Sequence, residues 1–234
     1  MELYAVKYGE NFKYASYKTV YRNDNRTGLV PDFVFLIYIA KVGNKAVLFD
    51  TGFRNEETAK RNEITLYDIE EEIHALTGGK TDTVFITHAH FDHVENLDLY
   101  PTAELILSQG TWNEMEKSYP DLTRIWAGSE KLHTVNSEFS YQDLLKFSVI
   151  NGHMNGSSVI VIDYQNKKYL IAGDEAYLCD NFKRNIPISM TFDAKKNADF
   201  IDKIHHQDIV TLTYHDGSIM KSYPKISEHI VRII

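Results

Sequence analysis

Cysteine is almost absent: Cys179 is the only one in 234 residues, so no disulfide can form within the chain, and the composition fits a reducing compartment. Proline is sparse, at 5 residues, and glycine ordinary, at 12, which excludes collagen-like and proline-rich organisation. No apolar run approaches the roughly 20 residues of a membrane-spanning helix. The opening Met1-Glu2-Leu3-Tyr4 lacks the basic and apolar regions of a secretory leader. A cytoplasmic protein without a membrane partner is expected. Positive charge is also short: 25 Lys and Arg face 33 Asp and Glu, a net charge of -8, which argues against a nucleic-acid surface. No repeat, low-complexity tract or linker is visible. A hydrophobic content of 43% over this length is enough for one core, so a single domain spanning 1–234 is expected.

Against this plain background one segment stands out. Thr87-His88-Ala89-His90-Phe91-Asp92-His93 puts four metal-competent side chains into six residues, directly after the apolar Val84-Phe85-Ile86. Residues two apart at the end of a strand project to the same side, so His88 and His90 can pinch one ion between their imidazoles. Asp92 and His93 follow where the backbone turns off the strand and are better placed for a second ion.

Further ligands are expected where the chain again leaves a strand, because loops at strand ends are where a rigid scaffold presents chemistry. His153 lies in a turn flanked by Gly152 and Gly156, Asp174 follows Leu170-Ile171-Ala172-Gly173, and His215 follows Thr211-Leu212-Thr213. Cys179 is an alternative thiolate ligand, but the full set of nitrogen and oxygen donors favours an idle thiol. His74, His133, His205, His206 and His229 have no partner at metal spacing and read as solvent-facing or helix-side residues.

The alternation of apolar and polar residues predicts strands near 3–8, 33–39, 46–50, 83–87, 103–107, 144–150, 158–163, 168–172 and 209–213. Leu66, Ile69, Ile73 and Leu76 give one helical stripe ended by Gly78-Gly79, and Ala198, Ile201 and Ile204 give another within 195–207. Residues 12–31, with Tyr14, Tyr17 and Tyr21, and residues 119–133, with Trp126 and His133, read as irregular loops able to wall a cleft.

The run His88, His90, Asp92, His93 matches without a gap the H-x-H-x-D-H signature of the metallo-β-lactamase superfamily, which this chain resembles. The later Gly152-His153, Gly173-Asp174 and His215 follow in the same order. The resemblance implies a four-layer αββα sandwich with two metal ions. It assigns His88, His90 and His153 to one ion and Asp92, His93 and His215 to the other, with Asp174 as the bridge. It places Asp50, in Asp50-Thr51-Gly52, in support of the metal loop rather than on a metal; a turn or cap role is the alternative. Within the superfamily the chain is most similar to N-acyl homoserine lactonases, through Gly173-Asp174-Glu175-Ala176-Tyr177 followed by Asn181-Phe182. That similarity implies a quorum-quenching lactonase with Tyr177 beside the substrate. Two departures bear on substrate: Val94-Glu95-Asn96 stands where those lactonases have a small residue and two glycines, and Met154-Asn155 where a small residue and proline are usual.

The implied chemistry is hydrolysis of a small-molecule ester or lactone. Two divalent cations roughly 3.5 to 4 Å apart share a hydroxide that attacks the carbonyl. Tyr177 donates to the developing oxyanion, and Asp92 shuttles the proton to the leaving alkoxide. Zinc is the default metal, with Mn, Fe or Co compatible with the same ligands. A thioester hydrolase of the glyoxalase II type is the alternative, and a non-catalytic metal-binding protein the alternative from another class. The oligomeric state is not readable.

Overall fold

The computed structural model describes residues 1–11 and 15–234; Tyr14, named above as a possible cleft-wall residue, lies outside them. In chain order the strands are β1 (Glu2–Asn11), β2 (Phe33–Val42), β3 (Lys45–Phe49), β4 (Thr65–Leu66), β5 (Thr83–Ile86), β6 (Glu104–Ser108), β7 (Leu132–Val135), β8 (Glu138–Tyr141), β9 (Leu145–Val149), β10 (Ser158–Tyr164), β11 (Lys167–Ile171), β12 (Val210–Leu212) and β13 (Ile230–Arg232). The helices are α1 (Tyr17–Val20), α2 (Glu56–Arg61), α3 (Glu70–Thr77), α4 (Phe91–Val94), α5 (Gln109–Ser118), α6 (Pro120–Thr123), α7 (Cys179–Lys183), α8 (Ala194–His205) and α9 (Ile219–Ser222).

The strands form two sheets. One runs β13-β1-β2-β3-β5-β6-β7 with β4 added to β1, and the other runs β12-β11-β10-β9-β8. Alternation within a strand divides its side chains between two layers. On β2, Val34, Leu36 and Tyr38 turn inward to meet Phe147, Ile160, Ile162 and Ile171 of the second sheet. Phe35, Ile37 and Ile39 of the same strand face outward, in a cluster with Trp112, Met115 and Trp126. On the far side, Val159 and Leu170 pack with Phe182, Phe200, Ile201 and Ile204 of α7 and α8. These three apolar layers make the fold a single-domain αββα sandwich.

Two expectations need correction. The stripe beginning at Leu66 is not one helix: Leu66 pairs with Gly9 in β4, and α3 starts only at Glu70. The cause is local, since Glu70, Glu71 and Glu72 fill its first turn, where carboxylates favour the positive helix end. Gly78, at φ 66°, closes it. Residues 119–133 are not an irregular loop. They hold α6 and the start of β7, and Trp126 is buried with its indole donating to the Ala103 carbonyl at 3.3 Å.

Candidate metal centre

The segments named from the sequence meet at one edge of the sandwich, where β3, β5, β11 and β12 end and β10 begins. Asp50, just past β3, holds them in place. Its φ of 58° is left-handed, a conformation Asp adopts more readily than most residues. In that pose one carboxylate oxygen accepts from the Thr87 amide at 2.7 Å. The other meets the Thr87 hydroxyl at 2.7 Å and His93 Nδ1 at 2.8 Å. Such carboxylates orient an imidazole by holding its far nitrogen.

The other rings are held in the same manner. Nδ1 of His153 lies 3.1 Å from the Met190 carbonyl, and Nδ1 of His215 lies 2.9 Å from that of Val34. A carbonyl only accepts, so Nδ1 carries the proton and Nε2 presents a lone pair inward. Phe33 stacks on His215 at 4.5 Å between centroids and fixes the ring plane.

Two groups result, each close enough to hold one ion: His88, His90, His153 and Asp174, and Asp92, His93 and His215. In the first, Nδ1 of His90 lies 3.1 Å from Nε2 of both His88 and His153. That spacing is near the ~3.3 Å edge of a tetrahedron with ligands at about 2.0 Å. Asp174 divides its oxygens between the groups. Oδ2 lies 3.5 Å and 3.6 Å from Nε2 of His88 and His153, and Oδ1 lies 3.2 Å and 3.5 Å from Nε2 of His215 and His93. Asp92 Oδ2 is 3.7 Å from Nε2 of both His93 and His215.

The electrostatics ask for a cation. Burial alone would raise the Asp174 carboxyl, yet the surrounding His215, His93 and His88 hold it well below the usual range. Burial would lower His93, but Asp92, Asp174 and Asp50 push it well above an ordinary imidazole. His88 and His153 are lowered, chiefly by burial, and stay neutral and able to ligate. Among the described residues His93 Nε2 and Asp174 Oδ1 are buried with no hydrogen-bond partner, a costly state for two polar atoms aimed at one point. A divalent ion in each group satisfies both atoms and neutralises the carboxylates, so the residues fit two divalent metals.

The model of the metallo-beta-lactamase superfamily matches residues 29–225. The chain belongs to the metallo-β-lactamase superfamily. A "Probable metallo-hydrolase" of Methanocaldococcus jannaschii is 23% identical over 146 residues, 62% of this chain and 62% of that protein. A quorum-quenching N-acyl homoserine lactone lactonase superposes with a TM-score of 0.76 at 16% identity, covering 97% of both chains. AidC, a dizinc quorum-quenching lactonase, gives 0.68 at 16% identity, covering 99% of this chain and 93% of that one. At such identity the structural likeness establishes the metallo-β-lactamase fold.

Within that fold the substitutions after His93 divide by role. Val94 is buried in the core, so its bulk is not in the cleft. Asn96 donates to the Thr51 carbonyl and accepts from Arg54, which makes it a loop clamp. Glu95 alone bears on the site: burial, then Asp92, raises its carboxyl, and burial, then Glu95 and Asp92, pushes Tyr119 up to about 12. Tyr177 is buried with its ring 5.7 Å from His153 and 5.8 Å from His215, one histidine of each group.

Sequence reasoning missed Glu175. Its side chain is fully buried and accepts from the amides of Gly152 and His153 and from the Ser157 hydroxyl, while Asn197 donates to its other oxygen. It shapes the turn that presents His153. A Cβ on Gly152 would lie 2.1 Å from Glu175 Oε2, so that turn requires glycine. Tyr8 was also missed; its hydroxyl donates to the Asp92 carbonyl at 2.7 Å. The signal was present only as a charged residue beside Asp174 and a tyrosine in a strand.

Proposed function

We propose that this metal-dependent hydrolase opens the ring ester of a lactone of the N-acyl homoserine class, using two zinc ions. The observation that carries the reading is the position of Tyr177, flanked by one histidine from each group. A phenol there can donate to a carbonyl oxygen as charge develops on it. When bound, two such ions would supply Lewis acidity and lower the pKa of a water molecule. His88, His90 and His153 would hold one ion, Asp92, His93 and His215 the other, and Asp174 both. Asp92 keeps one oxygen toward His93 and His215 and uses the other to carry a proton to the departing alkoxide.

The test compares lactones, thioesters and phosphodiesters on protein loaded with zinc. Lactone opening, read as one proton released per turnover, is the expected result. Tyr177→Phe should keep metal content and lower kcat/KM about tenfold to several hundredfold, the effect of roughly 1 to 4 kcal/mol. Thioester cleavage without lactone opening would replace the substrate class with that of glyoxalase II-type enzymes and leave the metal centre standing.

A further inference from the structure

A cavity of about 630 Å³ lies under α3, and none of the seven clustered metal-centre residues lines it. Its size suits a ligand of drug-like dimensions. The walls are apolar and aromatic: Phe53, Leu66, Tyr67, Ile69, Ile73 and Tyr100. The roof helix leaves its apolar side over this space, for no residue of α3 is fully buried and Ile73 is only partly covered.

The floor is rigid. Tyr8 lines the cavity and is bonded to the Asp92 carbonyl, while Thr51, also in the lining, donates its hydroxyl to the His93 carbonyl at 3.0 Å. A preformed wall lowers the ordering cost of binding.

The charges of the lining select the ligand. Arg54 is already held by Asp98 and Asn96, and Lys80 by Asp82. Glu56, Asp68 and Glu70 also line the cavity. Among the described residues they form no ion pair with Lys, Arg or the lining His74. The unbalanced charge is therefore negative and attracts a cation; the Tyr67 ring already meets Lys7 at 4.8 Å and stacks on His229, so the carboxylates rather than that ring set the preference.

We propose that this cavity is a second binding site, separate from the metal centre, for an organic amine with an apolar or aromatic body. The body fills the space under Ile73, and the ammonium meets Glu56, Asp68 and Glu70.

Fluorescence titration of metal-loaded protein with naphthylethylamine tests this, with naphthylpropionate and naphthylethanol as matched anionic and neutral probes. The amine should bind saturably, about tenfold or more tighter than either control. Combined Glu56→Gln and Glu70→Gln should remove most of that preference. Ile73→Trp, which narrows the cavity from a partly exposed position, should weaken amine binding while metal content and hydrolysis stay unchanged. Equal binding of the three probes would overturn the charge argument. Amine binding unchanged by Ile73→Trp would place the ligand elsewhere and overturn the site. If Ile73→Trp fails to fold, the double glutamine variant still decides, because both residues are exposed.

Discussion

Asp174 lies between the two candidate metal groups, its two oxygens facing different sets of nitrogens. Asp174→Asn keeps the shape and removes the charge, leaving two adjacent cations without their shared anion. Metal and activity should fall together, read by elemental analysis and turnover on one preparation. An Asn variant retaining two ions and full rate would show that the carboxylate is not a bridge. Cys179 behaves in the opposite way. Its thiol is buried, donates to the Thr211 carbonyl at 3.3 Å, and is pushed up to about 11, first by burial and then by Asp216. The thiolate is the reactive form, so iodoacetamide at neutral pH should label unfolded protein and spare the native state. Rapid native labelling, read by mass spectrometry, would contradict that burial.

At the scale of elements, the turn from Asn151 to Ser158 places His153, and Glu175 from the next loop holds the turn. Glu175→Ala would leave buried amides without an acceptor, a cost of about 1 to 3 kcal/mol. The expected result is a lower Tm and weaker binding of the ion held by His88, His90 and His153. Unchanged stability and metal affinity would show that the turn holds itself. Elements differ in how plainly the sequence announces them. Central strands such as β2 and β5 are buried along their length and read as apolar runs. The strands missed were β4, β7, β8 and β13. The last three lie at sheet edges and β4 is a two-residue addition to β1. β7 and β8 are largely unburied and lose the continuous apolar signal, whereas β13 buries Ile230 and Val231 but is only three residues long. In the candidate site, the seven clustered residues carry their donor chemistry in their own side chains and stand at or soon after strand ends, Asp92 and His93 on α4. Glu175 and Tyr8 act through backbone groups distant in sequence, which no local pattern records.

Across the whole molecule, the candidate metal centre sits where the two sheets meet. Asp50 leaves the first sheet and holds Thr87 and His93, while His153, Asp174 and His215 come from loops of the second. Ser158 of β10 donates its amide to the Thr87 carbonyl at 2.9 Å across the same seam. Ions bound there engage only the folded arrangement, so metal affinity adds to folding stability by mass action. At a free metal concentration about 1,000 times the dissociation constant each ion contributes about 4 kcal/mol, so two contribute about 8 kcal/mol, or roughly 20 °C in Tm for a chain of this size. Stripping metal with a chelator should lower Tm by about that amount, and adding zinc back should restore it. The asymmetry between groups sharpens the test. Asp92→Ala removes a residue of the second group alone, so it should keep one ion and part of the shift, whereas Asp174→Asn should abolish the shift. A chelator-insensitive Tm in the wild type would mean that the buried carboxylates are neutralised by protons on the imidazoles, chiefly His93, and that the seam holds without metal.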